Sequence, residues 1–186
     1  MELPFSLETD LEKRIAADPA WQQGVIWGKP RYGHQEGPVK FHIADVLRNI
    51  DQQCPSPDER RVLRLIALVH DTFKYRVDES RPKMGTNHHG FIARKFAERY
   101  IDDPTILNII ELHDEAYNSW RLGAYKGKWH HAEERVDNLL RKLGPSLPLY
   151  VRFFHADSHT ESKNQTPVQW FDQYLQARGF VSPPGC

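Results

Sequence analysis

The stretch RRVLRLIALVHDTFK, residues 60–74, constrains this chain most. Leu63, Ile66 and Ala67 recur at helical spacing, and the run from Leu65 to Val69 is the longest strongly apolar one present. That run is far too short to cross a bilayer, so it predicts a helix buried in a core. Its face continues into His70, with Asp71 next to it. The most apolar helix of the chain thus ends on an imidazole and a carboxylate.

Helix is the recurrent reading elsewhere. Apolar periodicity predicts helices over about 40–51, 57–75, 87–100, 104–119, 129–143, 147–158 and 167–178, separated by Pro, Gly, Asn or Asp. Ser6 is placed to cap an earlier helix through Leu7, Leu11 and Ile15, which Asp18-Pro19 ends. The four glycines and one proline of Gly24–Gly37 predict an ordered loop, and Asp103-Pro104 is a good helix start because Asp accepts from orphan N–H groups while Pro needs no acceptor. No alternating pattern is long enough for a sheet, and no repeat or Gly/Ser linker divides the 186 residues. The expected fold is all-α: one compact helical domain over 1–186, with a core at about 33–160 and the terminal helices packed on it.

Several apolar stripes end on a metal-ligand type of side chain. Ile106, Ile109 and Ile110 are followed at i+7 by His113. Tyr150, Phe153 and Phe154 lead to Asp157, a carboxylate where the pattern asks for an apolar group, and an unpaired buried carboxylate calls for a cation or several donors. His42 sits beside the stripe Ile43, Val46, Leu47, Ile50, and His88 opens a helix with Ile92, Phe96 and Tyr100 inward. Imidazole with carboxylate suits Zn, Fe, Mn, Co or Ni better than Ca or Mg alone, in an octahedral mononuclear or carboxylate-bridged dinuclear site. His130, His131, His155 and His159 fall off these stripes and read as surface or outer residues.

Composition narrows the function classes. Twenty-five basic and twenty-five acidic residues cancel, which gives no strong nucleic-acid or anionic-membrane signal. Cys54 and Cys186 form no ligand-like or redox pair, and the N-terminus has neither the apolar core of a signal peptide nor a transit pattern, so a cytoplasmic protein with reduced thiols is expected. Oligomeric state is left open. Ten histidines are many for this length. About 0.7 His-Asp dipeptides are expected by chance in such a composition, and two occur, His70-Asp71 and His113-Asp114. The weight therefore lies on the whole set of residues.

In chain order the set reads His42, His70-Asp71, His88, His113, Asp157, and this resembles the HD-domain superfamily of metal-dependent phosphohydrolases over roughly residues 33–160. HDTFK resembles the family's H-D-x-x-K and adds Lys74. GHQEGPVKFHIADVL is similar to an H-P-E-G-x-V-x-x-H segment, with Gln35 in place of proline. HHGFIARKFAERY is close to the H-x-x-x-G-A-x-x-L helix of members that hold two metals; aligned on Ala93 and Phe96 it selects His88 over His89, with Ile92 where glycine is frequent.

The resemblance implies one divalent ion (Mn, Fe, Co, Ni, Zn or Mg) held by His42, His70, Asp71 and Asp157, and a second at Asp71, His88 and His113. Asp71 would bridge the two. The implied activity is hydrolysis of a small phosphate ester, nucleotides included, by metal-activated water, with Asp71 and Lys74 as the catalytic pair. Lys74 is suited to a phosphoryl oxygen, or alternatively to the helix dipole. Glu36 and His34 are further candidates for orienting water or serving the leaving group, and Arg31 and Lys163 for contacting phosphate. The polar loop 75–88 lies where substrate would enter. Two alternatives use the same residues: a di-iron oxygenase of the HD type, and a metal-binding sensor module without turnover.

Overall fold

The computed structural model describes residues 1–30, 37–159 and 163–180, and among them every regular element is a helix. Helix α4 (Pro57–Val69) is the centre of the packing. A capping box starts it: the Ser56 hydroxyl accepts from the Glu59 N–H, the Glu59 carboxylate accepts from the Ser56 N–H, and Pro57 occupies the first position. Leu63 and the whole run Leu65–Val69 are buried, so the C-terminal half of α4 is apolar and enclosed by neighbours, while its first turn is charged and exposed. The neighbours are α3 (Val39–Gln52), α5 (His89–Ala97), α6 (Pro104–Leu112) and α9 (Leu147–Ser158). Each fully buried Leu or Ile contributes about 1.5–3 kcal/mol. The end of α4 is therefore held at a fixed point in the middle of the protein.

The outer helices brace this centre. Helix α1 (Asp10–Ala16) is capped by Thr9, not Ser6, and its fully buried Glu12 pairs with Arg64 of α4 at 2.8 Å. Asp18 does not simply end α1. It caps a second helix, α2 (Pro19–Val25), by accepting from the Ala20 N–H, with Pro19 in the first position, so the loop expected from Gly24 begins only after Val25. Helices α7 (Glu115–Lys126) and α8 (Trp129–Leu143) form an antiparallel pair on the far side, and α10 (Thr166–Gln176) packs on α7 and α9. No helix of the described residues is long and apolar enough to cross a membrane.

Helix α2 fixes the turn that follows α4. Trp21 is fully buried and its indole N–H donates to the Leu68 carbonyl at 2.8 Å, an oxygen that also accepts from the Thr72 hydroxyl at 2.8 Å. Both donors satisfy a carbonyl that the helix end leaves open. Gly24 makes this contact possible, since a Cβ there would lie 1.9 Å from the Thr72 carbonyl oxygen. Alanine in place of a helical glycine ordinarily stabilises by about 1 kcal/mol. Here Gly24→Ala is expected to destabilise by about 1–3 kcal/mol, as overpacking does, and to displace residues 70–72. Urea melts of the two proteins check this; a raised midpoint for the alanine variant would contradict it.

Candidate metal centre

Four helix ends or faces converge on Asp71. His42 lies on the buried face of α3, and its Nε2 is 2.8 Å from Asp157 Oδ1, 3.3 Å from His70 Nε2 and 3.5 Å from Asp71 Oδ2. His70 Nε2 is 3.6 Å from Asp71 Oδ2 and 3.7 Å from Asp157 Oδ1. The other oxygen of Asp71 faces a different pair: Oδ1 is 3.4 Å from both His89 Nε2 and His113 Nε2, which are 3.1 Å apart. One carboxylate thus divides two half-sites, with His42, His70 and Asp157 on its Oδ2 side and His89 and His113 on its Oδ1 side. His42, His70, Asp71 and His113 are all buried.

Local structure sets the tautomers. His70 and His113 each follow directly on a helix end, and the Nδ1 of each faces the carbonyl three residues back, Ala67 at 2.9 Å and Ile110 at 2.8 Å. A carbonyl can only accept, so each Nδ1 carries the proton and each Nε2 is directed at the centre. The expected helix over 104–119 is interrupted at His113-Asp114 and resumes as α7. The buried Tyr150 hydroxyl supports the interruption, lying 3.2 Å from the carbonyls of Leu112 and His113 and accepting from the Ala116 N–H. Asn49, two turns beyond His42 on α3, donates at 2.8 Å to the carbonyls of Ala156 and His159 and so brackets Asp157.

The charges are consistent with a cation centre. Burial alone would raise the carboxyl of Asp71, but the ammonium of Lys74 and the imidazoles of His70, His113 and His89 outweigh it and hold the group well below the carboxylate range. Asp157 is likewise held well below it, burial being outweighed by Lys163 and the imidazoles of His42 and His70. Burial, and then the nearby Lys163 ammonium, lower His42 to about 4 against the pull of Asp157 and Asp71. His89 is lowered to about 4 by burial and by His113. At His113 burial is overcome by Asp71, Asp114 and Asp157, and the value rises to about 9. His42 and His89 are thus neutral imidazoles beside ionised carboxylates, the form divalent transition metals take, whereas His113 has to give up a proton to become a ligand.

A further observation tests the fit. Asp71 Oδ1 is buried and has no hydrogen-bond partner among the described residues, although two imidazole nitrogens lie within 3.4 Å. Buried polar atoms are nearly always satisfied, so this oxygen suits a cation placed between it and the two rings. Three sets, His42 with His70 and Asp71, Asp71 with His89 and His113, and His88 with His89 and Asp114, each bring three ligand atoms within 4.8 Å of one another.

The structure brings His42, His70, Asp71, His113 and Asp157 together. His88, the expected partner of His113, is not with them: its Nδ1 accepts the Gly90 N–H at 3.2 Å and caps α5, and its Nε2 lies 3.3 Å from Asp114 Oδ2. His89 takes the place beside His113. The signal for it was available, since His89, Ala93, Phe96 and Ala97 share one helical face and the last three are buried. Gly90 lets α5 approach α6, because a Cβ there would lie 2.4 Å from the Glu111 carbonyl oxygen.

Lys74 follows the end of α4 in a short 3-10 turn, Lys74–Arg76, and its Nζ contacts Asp71 Oδ2. Lys163 Nζ is 3.0 Å from Asp157 Oδ1 and 2.7 Å from its carbonyl. Loop 75–88 is organised by the buried Asn87, which donates to the carbonyls of Asp78 and Pro82 at 3.0 Å and accepts from the Asp78 N–H at 2.9 Å. His155 pairs with Asp172 at 2.8 Å, and His130 is largely exposed beside Glu134. Arg31, His34 and Glu36 lie outside the described residues.

Comparison with known families finds the model described as HD domain over residues 39–153, a span that contains His42, His70, Asp71, His89 and His113. Neither the curated proteins nor the solved structures include a match. The family model covers more than half of the chain, its all-helical fold agrees, and its His/Asp groups are arranged as a divalent metal would need them: this chain belongs to the HD-domain family.

Proposed function

We propose that the protein is a metal-dependent phosphohydrolase acting on a small phosphate ester, with nucleotides among the candidate substrates. The observation that carries this reading is the division of Asp71 between two half-sites, with a lysine ammonium at the edge of each metal-binding carboxylate that borders the first. His42, His70, Asp71 and Asp157 would hold one divalent ion and Asp71, His89 and His113 a second. Family membership implies the metal dependence, and the ion would supply water of lowered pKa and neutralise charge on a phosphoryl oxygen.

His89 is preferred to His88 on chemical grounds. Because His88 Nδ1 accepts the Gly90 N–H, its proton must sit on Nε2, which then has no lone pair to give. The remaining work falls to residues of the chain. Lys74 and Lys163, both only partly buried, can turn from their carboxylates to non-bridging phosphate oxygens once these are shared with an ion. Asn87 holds loop 75–88 in one shape directly before His88 and His89.

The experiment is orthophosphate release from a panel of nucleotides and phosphate esters by protein loaded with Mn, Co, Ni or Mg. Lys74→Ala should keep or tighten metal binding, because it frees Asp71 of a competing cation, and should lower kcat by roughly 100-fold, as loss of one charge-stabilising donor does. An unchanged kcat would remove Lys74 from the reaction. A charge-transfer band in the iron-loaded protein, without phosphate release from any ester, would move the assignment to the di-iron oxygenase.

A further inference from the structure

The second His-Asp pair is built like the first. His113 follows α6 as His70 follows α4, with similar backbone angles (φ −53, ψ −34 against φ −49, ψ −43) and the same Nδ1 contact to the carbonyl three residues back. Asp114 is thereby presented after its helix as Asp71 is, yet neither half-site uses it as a shared carboxylate. One of its oxygens is taken: Oδ2 lies 3.3 Å from His88 Nε2, the nitrogen that must carry the proton, and 3.9 Å from His89 Nε2. Its other oxygen, Oδ1, is buried and has no hydrogen-bond partner among the described residues. A carboxylate steered at one oxygen and open at the other is poised for a donor.

Charge gives the same direction. The first half-site has the full charge of Asp157 and a share of Asp71; the second has two imidazoles and the remaining share of Asp71. A divalent ion in the second half is under-neutralised unless another anion stands close, and Asp114, directly after His113 and with Oδ2 3.9 Å from His89 Nε2, is the adjacent one.

We propose that Asp114 is an outer anchor of the second half-site: its Oδ1 accepts a hydrogen bond from the solvent that completes the shell of the second ion, and His88 is the positioning residue that aims it. The inference rests on the reading that Asp71, His89 and His113 hold that ion. It explains why the chain carries adjacent histidines, one facing the metal and one facing the carboxylate that supports it.

The test is Mn2+ titration of the full chain by calorimetry, with bound metal counted by mass spectrometry, in wild type, Asp114→Asn, His88→Gln and His88→Ala. Asp114→Asn should still take two ions at saturation, with the weaker step loosened 10–100-fold, the range for loss of a ligand's outer partner, and the tighter step unchanged. His88→Gln, whose amide can still donate to Asp114, should stay within about threefold of wild type, a smaller loss than that range, and His88→Ala should move with Asp114→Asn. An unchanged weaker step in Asp114→Asn overturns the proposal, as does the loss of an equivalent at saturation, which would make Asp114 a direct ligand. A wild-type protein that takes only one ion overturns the half-site reading itself and the proposal with it, whereas failure to hydrolyse phosphate esters leaves this metal readout intact.

Discussion

Asp71→Ala is expected to remove both ions and all hydrolysis while leaving the helices in place. Both oxygens of Asp71 are committed, Oδ2 toward His42 and His70 and Oδ1 toward His89 and His113, so one substitution opens both halves at once. No other residue in the cluster faces both sets. Activity should fall by at least about 10³-fold, which corresponds to about 4 kcal/mol of transition-state stabilisation. The far-UV circular dichroism should be preserved, because the core around α4 is supplied by Leu63, Ile66, Leu68 and their neighbours and not by the carboxylate. Metal counting on the purified variant checks it, and retention of either ion at wild-type affinity would show that Asp71 is not the shared ligand.

His89→Ala and His88→Ala should part company, although the residues are adjacent. His89 Nε2 is 3.1 Å from His113 Nε2 and 3.4 Å from Asp71 Oδ1, so its loss should cost the second ion outright, a drop in affinity beyond the roughly 100-fold that outer partners command. His88 caps α5 and supports Asp114, so its loss should weaken the second ion without removing it. Metal content at saturation separates the two: one equivalent for His89→Ala, two for His88→Ala. The reverse pattern would return the ligand role to His88.

Three of the helices with uninterrupted stripes were legible to within about a residue, while the expected 87–100 and 167–178 overrun the ends of α5 and α10 by three and two residues. The expected 129–143 and 147–158 coincide with α8 and α9, and 40–51 lies within Val39–Gln52. Periodicity failed where the chain stops for chemistry. The expected 57–75 and 104–119 run through His70-Asp71 and His113-Asp114, because a stripe continues in sequence whether or not the backbone turns. What ends these helices comes from far away: Trp21 on the Leu68 carbonyl, and Tyr150 on those of Leu112 and His113. Helix α2 was missed because Asp18-Pro19 is both a terminator and a start signal, and only the Ala20 N–H on Asp18 decides between them.

For the site, the faces of α3, α6 and α9 placed His42, His113 and Asp157 inward without any contact information. The choice between His88 and His89 needed arithmetic on the buried face of α5, where Ala93 and Phe96 share a side with His89. Alignment on the family pattern selects His88, whereas it is His89 Nε2 that lies 3.1 Å from His113 Nε2. Asp114 had no signal of its own beyond the repeat of the dipeptide, since its partner is 26 residues away in the chain. Lys74 was expected one helical turn after His70, and it meets Asp71 by a 3-10 turn instead.

The most direct measurement is phosphate release from a broad ester and nucleotide panel by protein whose bound metal has been counted in the same sample. The account predicts release from at least one ester, rising with metal content toward two ions per chain and abolished by chelation. Folded protein carrying two ions and releasing phosphate from none of the panel would contradict it.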